Sequence, residues 1–167
     1  MDTLKVYKLI DGIESPAIAT EGSACFDIPV NFNTNSEIKG KGLIYLKNGK
    51  YIFSIPPQSI CLIPTGYIFD IPKGYHVKMY VRSSTPLKTG LILANSVGII
   101  DSDYVHEVLA QVYNTTDSFI EIESGTRLCQ GELVKNNEII IETISERPAQ
   151  KTNRKGGFGS TGKGKYL

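Results

Sequence analysis

The stretch LIYLKNGKYIFSI, residues 43–55, decides the fold class of this chain. Two apolar runs flank Asn48-Gly49, a dipeptide that accepts the positive φ angles of a tight type I′ turn. Apolar runs joined by such a turn predict a β-hairpin. We therefore expect antiparallel strands on both sides of Asn48.

The rest of the 167-residue chain repeats this pattern. Short runs rich in Ile, Val, Tyr and Phe alternate with Gly, Pro and Asn, and no window keeps the apolar spacing of a helix. The runs that predict strands are LKVYKLI (4–10), LIYL (43–46), YIFSI (51–55), SICLIP (59–64), YHVKMYV (75–81), EVLAQVYN (107–114), FIEIE (119–123) and EIIIETI (138–144). Many short strands at nearly regular intervals predict an all-β sandwich or barrel, with a jelly roll among the candidates.

The length fits one domain, which we place at residues 1–146. Asn31–Gly42 is polar, and we expect a surface loop there. Beyond Glu146 the chain is cationic and rich in glycine, so residues 147–167 are expected to form a flexible tail.

Composition excludes several classes of protein. A formal net charge of +1 argues against stable nucleic-acid binding. Cys25, Cys61 and Cys129 are odd in number and lie in apolar runs, which favours buried thiols in a reducing compartment. Neither a signal peptide nor a membrane-spanning apolar run is evident, so we expect a soluble, intracellular, cytoplasmic protein without membrane contact.

The tail sequence GGFGSTGKGK, residues 156–165, imitates a phosphate-binding P-loop. A true P-loop needs Ser or Thr directly after its lysine to bind magnesium, but Gly164 follows Lys163. It also needs a following helix, and only three residues come after Gly164. We therefore exclude a P-loop and keep a flexible tail with one aromatic residue, Phe158.

Four polar clusters stand out among the predicted strands, and the tail is a fifth. They are ACFDIP (24–29), VRSST (81–85), NSVGIIDSDY (95–104) and GTRLCQ (125–130). Asp101 follows an apolar run, and a fixed, partly desolvated carboxylate there could activate water, which is worth ~10²–10⁴-fold in rate. The alternative is that Asp101 and Asp103 only cap a hairpin.

The other clusters carry groups suited to a nucleotide. Arg82 offers bidentate donors to phosphate, and Ser83 and Ser84 with their backbone amides can complete an anion nest. The Asn95 amide can pair with a base edge, and Tyr104 could lie against a sugar. Taken singly, each of these residues also fits an ordinary loop, turn or core position.

In this order the five clusters resemble the five motifs of the trimeric deoxyuridine triphosphatases (dUTPases). The matching stretches are ACFDIP, PKGYHVKMYVRSS (72–84), NSVGIIDSDY, SGTRLCQ (124–130) and GGFGSTG (156–162). The resemblance implies a β jelly-roll that trimerises, with active sites shared between subunits. It also implies Mg²⁺-dependent hydrolysis of dUTP to dUMP and pyrophosphate, which limits uracil incorporation into DNA and supplies dUMP for dTMP synthesis.

The resemblance also assigns roles to residues. Asp101 would activate the water that attacks the α-phosphorus, and Asp27 would hold the water shell of a metal carried mainly by the triphosphate. Phosphates would be bound by Arg82, Ser83, Ser84 and Gln130; uracil would be bound by Asn95 and Gly98 with the backbone of Ile99, Ile100 and Leu109. Tyr104 would pack on the deoxyribose and exclude a ribose 2′-hydroxyl. Cytosine would be rejected because its amino group leaves buried partners unsatisfied.

The tail would act as a lid over the bound nucleotide. Phe158 would stack on uracil, while Gly159, Ser160 and Thr161 would contact phosphates. The γ-phosphate would be contacted by Arg154, with Lys155 as the alternative, because Asn153 stands where the family usually has its arginine.

Two further features depart from the family pattern. Val105-His106 replaces a turn that usually contains Gly; His106 is either a surface substitution or a contact to a neighbouring subunit. The segment Asn31–Phe53 is longer than usual and is either a tolerated surface insertion or a site for a protein partner.

Two other functions remain open from the sequence. A dCTP deaminase-like enzyme of the same fold would need acid and base groups for attack on the base. A dUTPase-like binding or regulatory protein would act through the inserted hairpin at about 31–53, with hydrolysis incidental or lost.

Overall fold

A computed structural model describes residues 2–153 and 156 of the chain. The elements in this part are β1 (Lys5–Lys8), β2 (Ala17–Ile18), β3 (Phe26–Pro29), β4 (Lys39–Gly40), β5 (Leu43–Lys47), β6 (Lys50–Ile55), β7 (Ile60–Pro64), β8 (Tyr67–Asp70), β9 (Tyr75–Val81), α1 (Ser84–Thr89), β10 (Leu91–Leu93), β11 (Gly98–Asp101), β12 (Leu109–Asn114), β13 (Ile120–Glu123) and β14 (Arg127–Lys135). The all-β prediction is confirmed, with one short helix added.

The strands form four antiparallel sheets within a compact unit that ends at Asn136. Their strand orders are β1-β8, β10-β12-β7-β4, β11-β9-β14-β3-β2 and β13-β6-β5. Each sheet contributes inward-facing residues, such as Phe69, Ile63, Ile28 and Phe53, to one apolar core. This core supplies most of the driving force for folding, because it removes apolar surface from water.

The hairpin predicted around Asn48-Gly49 is present. Lys47 pairs with Lys50 across the turn, and Asn48 and Gly49 have φ angles of 52° and 77°, as a type I′ turn requires. Gly49 has open space around it, so the positive φ is the reason for glycine at this position.

The segment 31–53 is not a surface insertion throughout, which corrects that interpretation. Asn31 and Phe32 are buried at its start, so the predicted surface loop does not begin at Asn31. At its end β6 buries Phe53 and pairs with β13, and the Phe32 and Phe53 rings meet edge to face at 5.7 Å. These apolar side chains belong to the core.

The strand predicted at 138–144 is wrong. Residues from Asn137 onward belong to a second unit, and residues 137–153 contain neither helix nor strand. Ile140 and Ile141 are 97% and 87% exposed. A run of β-branched residues becomes a strand only when another strand pairs with it, and within the described residues none does.

The helix α1 was not predicted, because six residues are too few to show helical periodicity. Pro86 lies in its first turn, and Gly90 ends it with a φ of 76°, donating its N–H to the Pro86 carbonyl at 2.9 Å. The buried Thr85 hydroxyl donates to the Leu128 carbonyl at 2.9 Å. This bond ties the helix to β14.

The cysteines partly match expectation. Cys61 and Cys129 are buried, and burial raises the pKa of the Cys129 thiol to about 12, whereas Cys25 is only half-buried. In the described part of the chain, no helix has the length and apolar character needed to cross a bilayer.

Candidate active site

A cavity of about 270 Å³ lies beside the turn that follows β10 and leads into β11. Its lining contains every residue before the tail that the sequence predicts for uracil, sugar and catalysis. The lining residues are Leu62, Met79, Asn95, Gly98, Ile99, Ile100, Asp101, Tyr104, Val108, Leu109 and Gln111. We call this space the base cavity.

The base cavity is shaped by a tight turn and by one glycine. Ser96 has a φ of 63°, and Val97 donates its N–H to the Asn95 carbonyl at 2.7 Å, which turns the chain into β11. A Cβ on Gly98 would lie 3.2 Å from the Met79 methyl and 3.8 Å from the Asn95 amide nitrogen. Glycine therefore keeps room between the side chains that line the cavity.

Asp101 ends β11, opposite His76 of β9. Along β11 Gly98 and Ile100 are buried, while Ile99 and Asp101 are exposed. The carboxylate thus lies on the open face of the strand, so the partly desolvated state expected for it is absent from the single chain. Substrate or another chain would have to exclude water from it.

Tyr104 is held on the rim of the base cavity by two hydrogen bonds. Its backbone N–H donates to the Asp101 carbonyl at 3.1 Å, and its hydroxyl donates to the Glu107 carbonyl at 2.9 Å. Its ring meets the His106 ring edge to face at 5.7 Å. Because the backbone and the hydroxyl of Tyr104 are both held, the ring has a fixed position at the rim of the base cavity.

A second group of polar residues, the phosphate cluster, consists of Asp27, Arg82, Arg127 and Gln130. Gln130 of β14 lies opposite Asp27 of β3 on one side and Tyr80 of β9 on the other. Asp27 pairs with Arg82 Nε at 3.0 Å and with Arg127 Nη1 at 3.2 Å. Its side chain is 13% exposed, and the two cations around it leave a net positive charge.

Sequence reasoning missed Arg127, although it lies inside the GTRLCQ cluster. Its backbone carbonyl accepts a hydrogen bond from Arg82 Nη1 at 3.1 Å. The available signal was a second arginine within a polar cluster. That Arg127 pairs with Asp27, however, follows only from the pairing of β3 with β14. The same holds for the cavity residues Leu62 and Gln111, which lie opposite each other on β7 and β12.

The structure separates the two groups along β9. Asp101 faces His76 near the start of β9, whereas Arg82 directly follows its last residue, Val81. Six residues of extended chain span about 20 Å. One chain therefore does not bring Asp101 together with Arg82 and Gln130.

The two predicted serines lie at the start of α1. Ser83 is the N-cap residue, exposed and without a side-chain cap bond, and Ser84 is the first residue of the helix. Both follow Arg82 directly and so belong to the phosphate end of β9.

The predicted magnesium ion can be compared with the side chains available to bind it. In the part of the chain that the structure describes, no group of three or more His, Cys, Asp or Glu side chains could hold a metal. Asp27 is the carboxylate of the phosphate cluster, and it already pairs with two arginines. Such a set fits an ion carried by phosphate oxygens, with Asp27 bound through water.

The predicted lid residues Arg154, Phe158, Gly159, Ser160 and Thr161, with the alternative Lys155, lie outside the described residues.

Comparison with known proteins identifies a family. The family model described as dUTPase matches residues 48–162. The chain is 31% identical over 163 residues to a deoxyuridine 5'-triphosphate nucleotidohydrolase of Rhizobium etli (strain CIAT 652), covering 96% of this chain and 94% of that one. It is 35% identical over 157 residues to the protein of the same name from Lactococcus lactis subsp. lactis (strain IL1403), covering 90% and 89%. The crystal structure of dUTPase from Streptococcus mutans matches with a TM-score of 0.64 and 28% identity, over 82% of this chain and 98% of that chain.

Proposed function

This chain belongs to the dUTPase family as a dUTP nucleotidohydrolase, and we propose that Asp101 activates the water that attacks the α-phosphorus. The water oxygen bonds to the α-phosphorus and gives its proton to Asp101, while the bond from the α-phosphorus to the oxygen that bridges to the β-phosphate breaks. That oxygen leaves with pyrophosphate, and dUMP is released. The observation that carries this proposal is the base cavity, whose lining holds Asp101 together with Asn95 and Tyr104.

Uracil recognition in this proposal depends on a strand edge. β11 is the outer strand of its sheet, so the side of Ile99 and Ile100 away from β9 offers backbone donors and acceptors to the base. Asn95, Gly98 and the Leu109 backbone complete the contact. Cytosine would leave these groups unpaired, at a cost of roughly 1–3 kcal/mol for each buried group.

Tyr104 selects the sugar in this proposal. Its hydroxyl is engaged by Glu107, so the ring cannot turn aside to admit a 2′-hydroxyl. The consequence is discrimination of dUTP from UTP.

The phosphate cluster binds the triphosphate in the same scheme. Phosphate oxygens are contacted by Arg82, Gln130, Ser83 and Ser84. Arg127 of β14, which pairs with Asp27, adds a second cation. A bound Mg²⁺ would offset the charge of the leaving pyrophosphate. Asp27 would hold water on that ion rather than coordinate it, which is consistent with its two arginine partners.

A homotrimer would bring the two groups together. We place Asp101 of one copy against the phosphate cluster of the next, because within one chain Asp101 and Arg82 lie at opposite ends of β9. Exposed apolar residues support association: Ile60 and Ile92 on the sheet β10-β12-β7-β4, and separately the isoleucines of 139–144. The tail, residues 147–167, closes the site as a lid through Arg154, Phe158, Gly159, Ser160 and Thr161.

The cellular role follows from the reaction. Removing dUTP limits uracil incorporation into DNA, and the dUMP formed supplies dTMP synthesis. We place the protein in the cytoplasm, where thiols such as those of Cys61 and Cys129 stay reduced.

The longer segment 31–53 has a second, protein-binding role in our proposal. β5 is the outer strand of the sheet β13-β6-β5 and exposes Leu43 and Leu46, at 58% and 59%. A double variant, Leu43→Lys with Leu46→Lys, should retain dUTP hydrolysis while losing any phenotype that depends on the partner. Unchanged phenotypes would remove this role.

The decisive experiment for the activity is steady-state hydrolysis of dUTP by the wild type and by Asp101→Asn. We expect pyrophosphate release by the wild type, no ammonia from dCTP, and a kcat lowered ~10²–10⁴-fold in the variant. Asp103→Asn, a substitution in the same turn but outside the base cavity, is the matched control. A near-normal kcat in Asp101→Asn would exclude Asp101 as the base, and ammonia from dCTP would identify a deaminase.

A further inference from the structure

A smaller cavity, of about 230 Å³, adjoins the base cavity on its sugar side. The two cavities share Tyr104 and Leu109. The remaining lining residues of the smaller one are Glu37, Lys39, His106 and Glu107. Glu37 and Lys39 belong to the longer segment 31–53, which we call the added segment, so this segment reaches the side of the site where Tyr104 takes the sugar in our proposal.

The position of Lys39 follows from sheet register. Lys39 of β4 lies opposite Leu62 of β7, and Leu62 lies opposite Gln111 of β12. Residues directly opposite each other in antiparallel strands point to the same face of the sheet. Lys39 thus shares a face with two residues of the base cavity, and its ammonium lies 3.6 Å from a Glu37 carboxylate oxygen.

Glu107 connects this lining to Tyr104. Its carboxylate accepts the Gly66 N–H at 2.8 Å, and its carbonyl accepts the Tyr104 hydroxyl at 2.9 Å. The next residue, Val108, donates its N–H to the Tyr67 carbonyl at 2.9 Å and accepts the Thr65 hydroxyl at 2.6 Å. The backbone that receives the Tyr104 hydroxyl is therefore clamped to the turn at 64–66.

The segment that lines the smaller cavity brings two charges of opposite sign, Lys39 and Glu37, to the side of Glu107. Burial raises the pKa of the Glu107 carboxyl, and Glu37 raises it further, while the Gly66 N–H and Lys39 act in the opposite direction. A charged acceptor makes a stronger hydrogen bond to an N–H than a neutral one does. Loss of Lys39 would therefore weaken the bond that holds Glu107 to Gly66.

We propose that Glu107 is a positioning residue that fixes Tyr104 against the substrate sugar, and that Lys39 of the added segment supports it. The inference rests on the proposed function, because it takes Tyr104 as the sugar contact. Glu107 touches no substrate itself. It acts by holding the backbone carbonyl to which Tyr104 donates, so it sets how strictly the site excludes a 2′-hydroxyl.

The test measures kcat and KM for dUTP and for UTP. Glu107→Ala should raise KM for dUTP about tenfold and lower the dUTP/UTP ratio of kcat/KM by a similar factor, with kcat little changed. Glu107→Gln retains an acceptor for the Gly66 N–H and should lower the ratio only about twofold. Glu123→Ala is the matched control, since Glu123 pairs with Lys50 at 2.8 Å on another sheet.

The variant Lys39→Met tests the electrostatic effect of Lys39 on Glu107 without disturbing the fold. Its side chain is exposed, so the variant should fold, and we expect the dUTP/UTP ratio to fall about twofold. If Lys39 acts through Glu107, Lys39→Met should have no further effect in the Glu107→Gln background. Lys50→Met is its control.

Each outcome decides the inference. An unchanged dUTP/UTP ratio in folded Glu107→Ala, or additive effects of Lys39→Met and Glu107→Gln, overturns it. Should Glu107→Ala fail to fold, the Lys39→Met result and the double variant decide. A wild type that does not hydrolyse dUTP would instead refute the proposed function, so the two failures are distinguishable.

Discussion

The base cavity and the phosphate cluster are built in different ways. Most of the base cavity comes from one continuous stretch, Asn95–Leu109, in which a tight turn, one glycine and two tyrosine hydrogen bonds shape the site. The phosphate cluster instead gathers Asp27, Arg82 and Gln130 from three regions of sequence through the pairing of β3, β14 and β9.

The difference shows how the work of the site is divided. A single local turn can present the contacts that we propose for base and sugar, because their residues are neighbours in sequence. Two neighbouring arginines repel each other unless a carboxylate such as Asp27 lies between them. Because these three residues are far apart in sequence, the pairing of β3, β14 and β9 is needed to bring them together. In our proposal the base cavity and the phosphate cluster are two half-sites, and a complete site joins half-sites from two copies, because Asp101 and Arg82 lie at opposite ends of β9 within one chain.

The largest effect expected from this comparison is complementation between inactive copies. Asp101→Asn and Arg82→Ala each damage one half-site, and we expect each to lose about 100-fold or more of kcat/KM. Mixed in equal amounts and reassembled, they should regain about a quarter of wild-type activity, because random assembly joins two intact halves at that frequency. Activity of the mixture no higher than that of its components would contradict shared sites.

A smaller effect should separate binding by the two half-sites. Gly98→Ala places a methyl group near Met79 and Asn95, so KM for dUTP should rise about fivefold while inhibition by pyrophosphate stays the same. Gly22→Ala is the control, because a Cβ there meets nothing within 4 Å. Equal weakening of pyrophosphate inhibition would show that the half-sites are not independent.

The smallest effect concerns the pH dependence of stability that arises from the Glu107 carboxyl group. The pKa of Glu107 is raised above its ordinary 4.5, mainly by burial, so this carboxyl group binds its proton more tightly in the folded protein than in the unfolded chain. The stability from this group is present below pH 4.5 and is lost as the pH rises through the folded-state pKa. The Tm of Glu107→Gln relative to wild type should therefore increase by about 2 °C between pH 4.5 and neutrality.

Glu121 provides a control of opposite sign. Hydrogen bonds from Lys47 and then Tyr45 lower the pKa of the Glu121 carboxyl, so its contribution is present above its unfolded pKa and lost as the pH falls. The relative Tm of Glu121→Gln should decrease with rising pH. If the relative Tm of both variants changed with pH in the same direction, the raised pKa of Glu107 and the lowered pKa of Glu121 could not both hold.

Several predicted elements depended on information that the sequence contains locally. The hairpin at Asn48-Gly49 was predictable because the dipeptide carries its own turn geometry. The strand at 75–81 has the bounds of its apolar run, since its alternation matches a sheet with one buried face. Asn95, Gly98, Ile99, Ile100, Asp101 and Tyr104 of the base cavity were predictable for the same reason, as they are neighbours in one motif.

Other predictions failed where a partner decides the outcome. The run EIIIETI has strong β propensity, but a strand needs a neighbour, and the described chain provides none there. Phe53 looked like part of a surface insertion because burial depends on what packs against a side chain, in this case Phe32. Arg127 was missed because its cation is only 3.2 Å from Asp27 after β3 and β14 pair.

By itself, the sequence determined the all-β class, the Asn-Gly turn, the family and most of the chemical groups proposed for the site, since these depend on residue type and short spacing. The tertiary structure alone decided that Asp27 lies between two arginines, that Lys39 lines a small cavity together with Tyr104, and that Asp101 and Arg82 lie at opposite ends of β9. Register and packing between distant segments fix those distances, and they arise from burial and strand pairing over the whole chain rather than from any one stretch.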